Sequence, residues 1–298
     1  MTLETFFEKF DQFADAPDAV AKMRELVLDL AVRGRIFPSR NPDSITPSAP
    51  FPIPHDWQWI ALNKAADCRA ATKVDSASLK DSDWVLDLED IDGGAGTVIS
   101  TTTFAERRSL STKAAFQPGD VLYGKLRPYL NKVVIADRPG FCTTEIIPLR
   151  PRQFITAGYL RLFLRSPHFL RYAAAKNYGM KMPRLGTTDL ESAEVPLPPL
   201  AEQKRIVAKV DELMALCDRL EAQEQERETR HAALARAALA RFTDAPDAVA
   251  KMRDLILRLA MQGKLVSQNL RDEPADNLLI ELKAETSDRY GRRPSAIP

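Results

Sequence analysis

Near the start of the chain, apolar residues fall at three- and four-residue steps: Val20, Met23, Val27, Leu30 and Ala31. That spacing places one stripe along one side of an amphipathic helix. The stripe returns far downstream as Val249, Met252, Ile256, Leu259 and Ala260. The whole surrounding segment is in fact duplicated. FADAPDAVAKMRELVLDLAVRGRIF, from Phe13 to Phe37, recurs as FTDAPDAVAKMRDLILRLAMQGKLV, from Phe242 to Val266, at a constant offset of 229 residues. In each copy the Asp-Ala-Pro-Asp run predicts a helix start, with carboxylates to cap free amides and proline near the first turn. Gly34 and Gly263, each followed by a basic residue, stand where a helix C-terminus takes a left-handed cap. So long a period excludes a solenoid, and one helix is used twice around something globular.

The pattern between the copies changes twice. Pro42, Pro47, Pro50, Pro52 and Pro54 break the first helix into an extended linker. From Trp57 to Pro199 the apolar runs are short. Strands are predicted over 84–86, 97–99, 120–123, 132–135 and 145–149, with turns at Gly93-Gly94, Pro118-Gly119 and Pro139-Gly140. Thr156 to Lys176 reads as one helix with Leu160, Phe163, Leu164 and Phe169 on its core side. Pro196-Leu197-Pro198-Pro199 closes this domain, and an unbroken helix is predicted from Ala201 to about Arg241, roughly 60 Å long. Ile206, Val210, Leu213, Cys217 and Leu220 carry coiled-coil spacing, resumed by Leu234 and Ala238, with Glu224, Arg227 and His231 on the same seam between them. The expected fold class is α+β: one globular mixed α/β domain with long α-helices forming an antiparallel, coiled-coil-like spacer. The expected organisation is a helical segment over 1–40, a linker over 41–56 and the globular domain over 57–199. A long helix with the second repeat copy follows over 200–285, and a tail over 286–298.

The total charge conceals a local asymmetry. Lys plus Arg is 42 and Asp plus Glu is 41, yet residues 50–104 hold 4 basic and 9 acidic side chains whereas 105–188 hold 15 basic and 4 acidic. A basic window in a folded domain points to a polyanion, of which nucleic acid is the commonest large one. Two segments interleave cations with aromatics and amides: Gly119 to Lys132, and Asn177 to Arg184. Lys125, Arg127 and Lys132 suit phosphates, and arginine and asparagine have the bidentate geometry for base edges. The candidate DNA-binding residues are therefore Tyr123, Lys125, Arg127, Asn131, Lys132, Tyr178, Lys181 and Arg184.

Catalytic patterns are missing from the sequence. It holds no G-x-x-x-x-G-K-[ST] or G-x-G-x-x-G phosphate cradle and no G-x-S-x-G elbow. Cys68, Cys142 and Cys217 are isolated and odd in number, and His55, His168 and His231 lie far apart, so neither a disulfide framework nor a metal site is expected. Asp276 with Glu281-Leu282-Lys283 loosely matches a nuclease arrangement but reads as solvated helical charge. No apolar run approaches the ~18 residues of a bilayer span, and the acidic-apolar N-terminus lacks a signal-peptide pattern, so a cytoplasmic protein without membrane contact is expected.

Three stretches resemble the specificity subunits of type I restriction-modification systems: LSTKAAFQPGDVLYGKLRPYLNKVVIADRPGFCTTEIIPLRP (110–151), VPLPPLAEQKRIVAKVDELMALCDRLE (195–221) and the IPHDWQWIAL opening at Ile53. With the repeated helices, the resemblance extends over nearly the whole chain. It implies a non-catalytic subunit that reads one half of a bipartite site in double-stranded DNA. Its helices act as a spacer and as the dock for methyltransferase subunits. S-adenosylmethionine, and ATP with Mg²⁺, are then expected on partner chains, including a restriction/translocase subunit, and no cofactor on this one. The family's typical member has two target-recognition domains. This sequence has one, which reads as a half-length form whose two copies pair through their helices as a homodimer on an interrupted palindrome. A coiled-coil adaptor whose globular domain binds protein or RNA is the alternative reading.

Overall fold

The computed structural model of the chain describes residues 18–37, 49–179, 182–243, 247–262 and 264–265. It divides into two compact units, one ending at Glu224 and one beginning at Gln225. The class is α+β, with the strands in the first unit.

Helix α1 (Ala19–Val32) is the first repeat copy. Its entry differs from the expected cap. Asp18 adopts a left-handed backbone (φ 69°) and its side chain caps nothing. Instead its carbonyl accepts the Lys22 N–H at 3.0 Å. Aspartate tolerates that conformation better than most residues. At the other end Gly34 (φ 68°) supplies the left-handed cap. The Arg35 N–H reaches back to the Leu30 carbonyl at 2.8 Å and the Gly34 N–H to Ala31 at 3.3 Å, satisfying carbonyls that the helix end would orphan. Met23, Val27, Leu28, Leu30, Ala31 and Val32 are buried. The Arg24 guanidinium meets Asp218 at 2.7 Å and Glu221 at 2.6 Å.

The domain's first and last strands close on each other. Strand β1 (Gln58–Ala61) pairs antiparallel with β12 (Glu194–Leu197), Gln58 opposite Leu197 and Ala61 opposite Glu194. After β1 come a short helix α2 (Leu62–Ala65) and strands β2 (Ala66–Asp67), β3 (Lys73–Val74), β4 (Val85–Leu86), β5 (Ile91–Asp92) and β6 (Thr97–Val98). Helix α3 (Phe104–Arg107) precedes β7 (Lys113–Phe116), β8 (Val121–Gly124), β9 (Val133–Ile135), β10 (Gly140–Cys142) and β11 (Ile146–Pro151). Two four-stranded sheets result, in the orders β3-β7-β10-β4 and β2-β11-β8-β9, beside a β5–β6 hairpin. Gly140, expected in a turn, opens a strand.

The predicted helix over 156–176 is two helices, α4 (Ala157–Arg165) and α5 (Pro167–Lys176). Pro167 has no N–H to continue the ladder, and Ser166 turns the chain in extended conformation, its Oγ accepting the Phe169 N–H at 3.2 Å. Helix α6 (Thr187–Ser192) leads into β12. The sheet containing β8 has a core on each side. Val121, Tyr123, Val133 and Leu149 join α1, α4 and α5 in one cluster, while Leu122, Val134 and Ile146 join Leu86, Phe116 and Cys142 in the other.

Helix α7 (Leu200–Thr243) follows, 44 residues long. In the first unit its Ile206, Val210, Leu213 and Cys217 are buried, as the seam predicts. Gln203, fully buried, accepts the Thr156 N–H at 2.8 Å and donates to Phe154 and Pro198 carbonyls at 2.9 Å each, fastening α7 to the start of α4. In the second unit α8 (Ala248–Met261) reproduces the backbone of the first copy, including the left-handed, uncapped entry at Asp247 (φ 71°). Val249, Leu255, Ile256, Leu257 and Met261 are exposed, whereas Met252 and Leu259 are half-buried. Gly263 and the segment with Asp276, Glu281 and Lys283 lie outside the described residues.

Candidate nucleic-acid interface

The two cation-rich segments, about fifty residues apart in sequence, are spliced together. Beyond β8 the chain forms a single 3₁₀ turn, Pro128–Leu130, bracketed by left-handed Arg127 (φ 50°) and Asn131 (φ 53°). The second segment folds back on itself: Tyr178 and Arg184 exchange backbone hydrogen bonds of 3.0 and 2.9 Å around Gly179 (φ 92°). The Arg127 N–H donates to the Pro183 carbonyl at 2.7 Å and the Leu185 N–H to the Lys125 carbonyl at 3.0 Å. Leu126 bridges to Arg184 between them. Both segments therefore present one loop surface.

The side chains divide sharply in their availability. Arg127 is exposed, and Lys125 is half-buried with only its backbone engaged. Tyr178 is 58% exposed. Tyr123 is a correction: it lies on a strand covered on both faces, 2% exposed, its ring edge-on to Phe169 at 5.6 Å. It belongs to the core and cannot reach DNA. Burial pushes its phenol well above the ordinary tyrosine range, so it stays protonated. Arg184 is engaged by Glu145, Nε at 3.2 Å and Nη2 at 3.1 Å from the two carboxylate oxygens. The Lys132 ammonium donates to the Leu88 carbonyl at 2.7 Å, and Asn131 Nδ2 to the Arg165 carbonyl at 3.3 Å. Lys181 lies outside the described residues. Tyr129 (63% exposed), Leu130 (40%) and Met182 (45%) stand on the same loops and are absent from the sequence-based candidates. The signal for Tyr129 and Leu130 was Pro128, which starts the 3₁₀ turn that leaves these next two residues outward.

Part of the basic window is engaged within the fold, by carboxylates or by carbonyl and hydroxyl oxygens. Arg107 is surrounded by Asp87, Glu89 and Asp90 from the acidic window. Arg150 makes a fork with Asp120, at 2.9 and 3.0 Å. Lys113, fully buried, donates to Ser109 and Ser111, whose hydroxyls are 3.2 and 3.0 Å away. Arg165 places Nη1 on the Ala95 carbonyl (2.8 Å) and Nη2 on Gly93 (3.1 Å) and Gly94 (2.5 Å). Burial lowers it to about 10, so it stays charged at neutral pH. Among the described residues, Arg127 and the half-buried Lys125 stand on the spliced loops without a carboxylate partner, and Arg108, Arg152 and Lys176 are exposed elsewhere on the domain. The three cysteines are buried, burial pushing Cys68 and Cys142 up to about 12, so the thiols are inert. Among the described residues no group of His, Cys, Asp or Glu could hold a metal ion, and no helix is long and apolar enough to cross a membrane.

Residues 92–228 match the type I restriction modification DNA specificity domain. The chain is 27% identical to the EcoDI specificity subunit of Escherichia coli, over 94% of this chain and 63% of that protein. To the EcoAI specificity subunit of Escherichia coli it is 26% identical, over 89% of this chain and 55% of that protein. Among solved structures, the HsdS subunit from Thermoanaerobacter tengcongensis is similar at a TM-score of 0.56 and 26% identity, over 66% of this chain and 51% of that one. The chain thus spans just over half to under two thirds of the length of these curated relatives. Residues 92–228 thus match a type I restriction modification DNA specificity domain, and the chain as a whole is similar in sequence and fold to specificity subunits of type I systems.

Proposed function

We propose that this chain is the sequence-reading subunit of a type I restriction-modification complex. The segment 57–199 acts as the target-recognition domain and reads one half of a bipartite site in duplex DNA. The helices over 200–285 act as spacer and as the dock for methyltransferase subunits. The reading assigns this chain no catalytic role. S-adenosylmethionine, and ATP with Mg²⁺, belong to the methyltransferase and restriction subunits in this scheme. The observation that carries it is the splice of Lys125–Asn131 onto Tyr178–Leu185. It gathers the exposed Arg127, Tyr129 and Tyr178 onto one loop surface of a chain similar to specificity subunits.

Pairing of two chains is a further part of the proposal. What supports it is the duplicated helix, buried in its first copy and carrying exposed Ile256, Leu257 and Met261 in its second. Two copies related by a twofold axis would present identical half-sites in inverted orientation. The test is methylation of a random-sequence DNA library by this chain co-expressed with its neighbouring methyltransferase, with modified adenines mapped on single molecules. An interrupted palindrome is the expected result. An asymmetric motif would overturn the pairing, and an active complex without sequence preference would overturn the recognition role.

A further inference from the structure

The turn Pro128–Leu130 combines features that do not belong together in a merely structural loop. Its backbone is left-handed at both ends, at Asn131 in a conformation asparagine tolerates and at Arg127 with the strain of a side chain that rarely holds positive φ. Such strain persists only where the surroundings over-determine it, and here they do. On one side the Arg127 N–H is tied to Pro183. On the other, Arg165 works in two directions at once. Its carbonyl accepts Asn131 Nδ2, while its guanidinium gathers the carbonyls of Gly93, Gly94 and Ala95. The hairpin loop held in this way is pressed against the turn: a Cβ on Gly93 would lie 1.8 Å from the Leu130 carbonyl oxygen. A Cβ on Gly96 (φ +68°) would lie 1.6 Å from Arg165 Nη1, so the clamp also requires glycine there. What all this rigidity presents to solvent is apolar, namely Tyr129 and Leu130, beside the exposed Arg127.

We propose that this turn is a preformed wedge that enters the base stack of bound DNA through Tyr129 and Leu130, and that Arg165 is the positioning residue that holds it. The proposal rests on the recognition reading above and adds the contact chemistry of one turn. The Leu130 side chain and the Tyr129 ring gain nothing from phosphates but gain from unstacked bases, and proteins that insert such side chains between base steps deform the duplex locally. Arg165 lies behind the turn and touches no base.

The test uses the full chain assembled with its methyltransferase subunits, on duplexes of the mapped target carrying 2-aminopurine at successive positions. The wild-type complex is expected to raise the fluorescence at one step within each half-site. Tyr129→Ala with Leu130→Ala is expected to abolish that rise and weaken specific binding about tenfold. The dependence of affinity on salt is expected to stay unchanged, since neither substitution removes a cation. Unaltered affinity, or a loss accompanied by a shallower salt dependence, would overturn the wedge. For the clamp, Asn131→Gly keeps the left-handed backbone while releasing the Arg165 carbonyl, and Arg165→Lys keeps the charge without the fork. Asn131→Gly is expected to show the same direction of loss at an unchanged melting temperature and unchanged non-specific affinity. Arg165→Lys should follow it where the variant melts normally. Wild-type binding by folded Asn131→Gly would overturn the positioning role. Failure of the wild-type complex to select any duplex would instead refute the recognition reading itself.

Discussion

Arg127 illustrates how a single residue is made available. Its backbone N–H is fixed by Pro183, and its guanidinium has no partner among the described residues, whereas Arg184, next to Pro183 in the same junction, is engaged by Glu145. Arg127→Ala is therefore expected to weaken DNA binding by roughly 1–3 kcal/mol and relax the preference at one base position, read by fluorescence anisotropy on single-base variants of the target. A uniform loss with a shallower salt dependence would assign it to phosphate instead. Tyr123 offers the opposite case. Its hydroxyl is buried without a hydrogen-bond partner, so Tyr123→Phe removes a desolvated group and leaves its edge-on contact with Phe169 in place. Equal or slightly higher stability in urea and unchanged DNA affinity are expected. The sequence showed the cations of this site but not their partners. Glu145 and Arg184 are 39 positions apart, and nothing in Val-Leu-Tyr-Gly tells a strand with one buried face from a strand with two.

At the scale of elements, the junctions determine how the domain holds together. Gln203 satisfies one N–H and two carbonyls from two different stretches of chain, and Gln203→Ala leaves all three without partners in a buried setting. A loss of about 2–3 kcal/mol of stability in urea melts is expected, with α7 itself intact by circular dichroism. His168, early in α5, lies against Phe51 at a ring-centroid distance of 4.8 Å, with Trp59 and Phe163 further off. Burial, aided by Arg171 and Arg33 and opposed by Asp29, lowers it to about 4. In the unfolded chain it titrates near 6.5. Between those values the unfolded state binds more protons, so this group's contribution to stability is full above about pH 6.5 and declines as the pH falls to about 4. Unfolding in urea between pH 4 and 7 is expected to show that slope, and His168→Phe to flatten it. Long elements such as α1 and α7 were legible because their period is sustained over several turns. The two- and three-residue strands carry no period at all, and they exist because the sheets recruit them. The break at Ser166 was written in Pro167, but the apolar spacing on either side runs through it without a gap.

For the whole molecule the decisive fact is that one helical sequence has two fates. In the first copy Val27 and Leu28 are buried. Their counterparts Ile256 and Leu257 are 45% and 65% exposed, with Met261 at 89%. Identical capping geometry at Asp18 and Asp247 and matching apolar positions mean that the difference is one of surroundings rather than of propensity. An exposed stripe of that kind marks a surface for association, and in the proposed pairing of two chains it is covered. Substituting charges in the two copies separates these roles. Val27→Asp with Leu28→Asp buries two unpaired carboxylates in the core and is expected to prevent folding of the first unit. Ile256→Asp with Leu257→Asp places the same charges on a solvated face, so the melting temperature should hold within a few degrees. Sedimentation velocity should then show the dimer replaced by monomer, and methylation in the assembled complex should fall with it. A dimer that persists with both aspartates in place would move the contact elsewhere on the chain. A second pair that unfolds the protein like the first would mean that the stripe is already covered within one molecule.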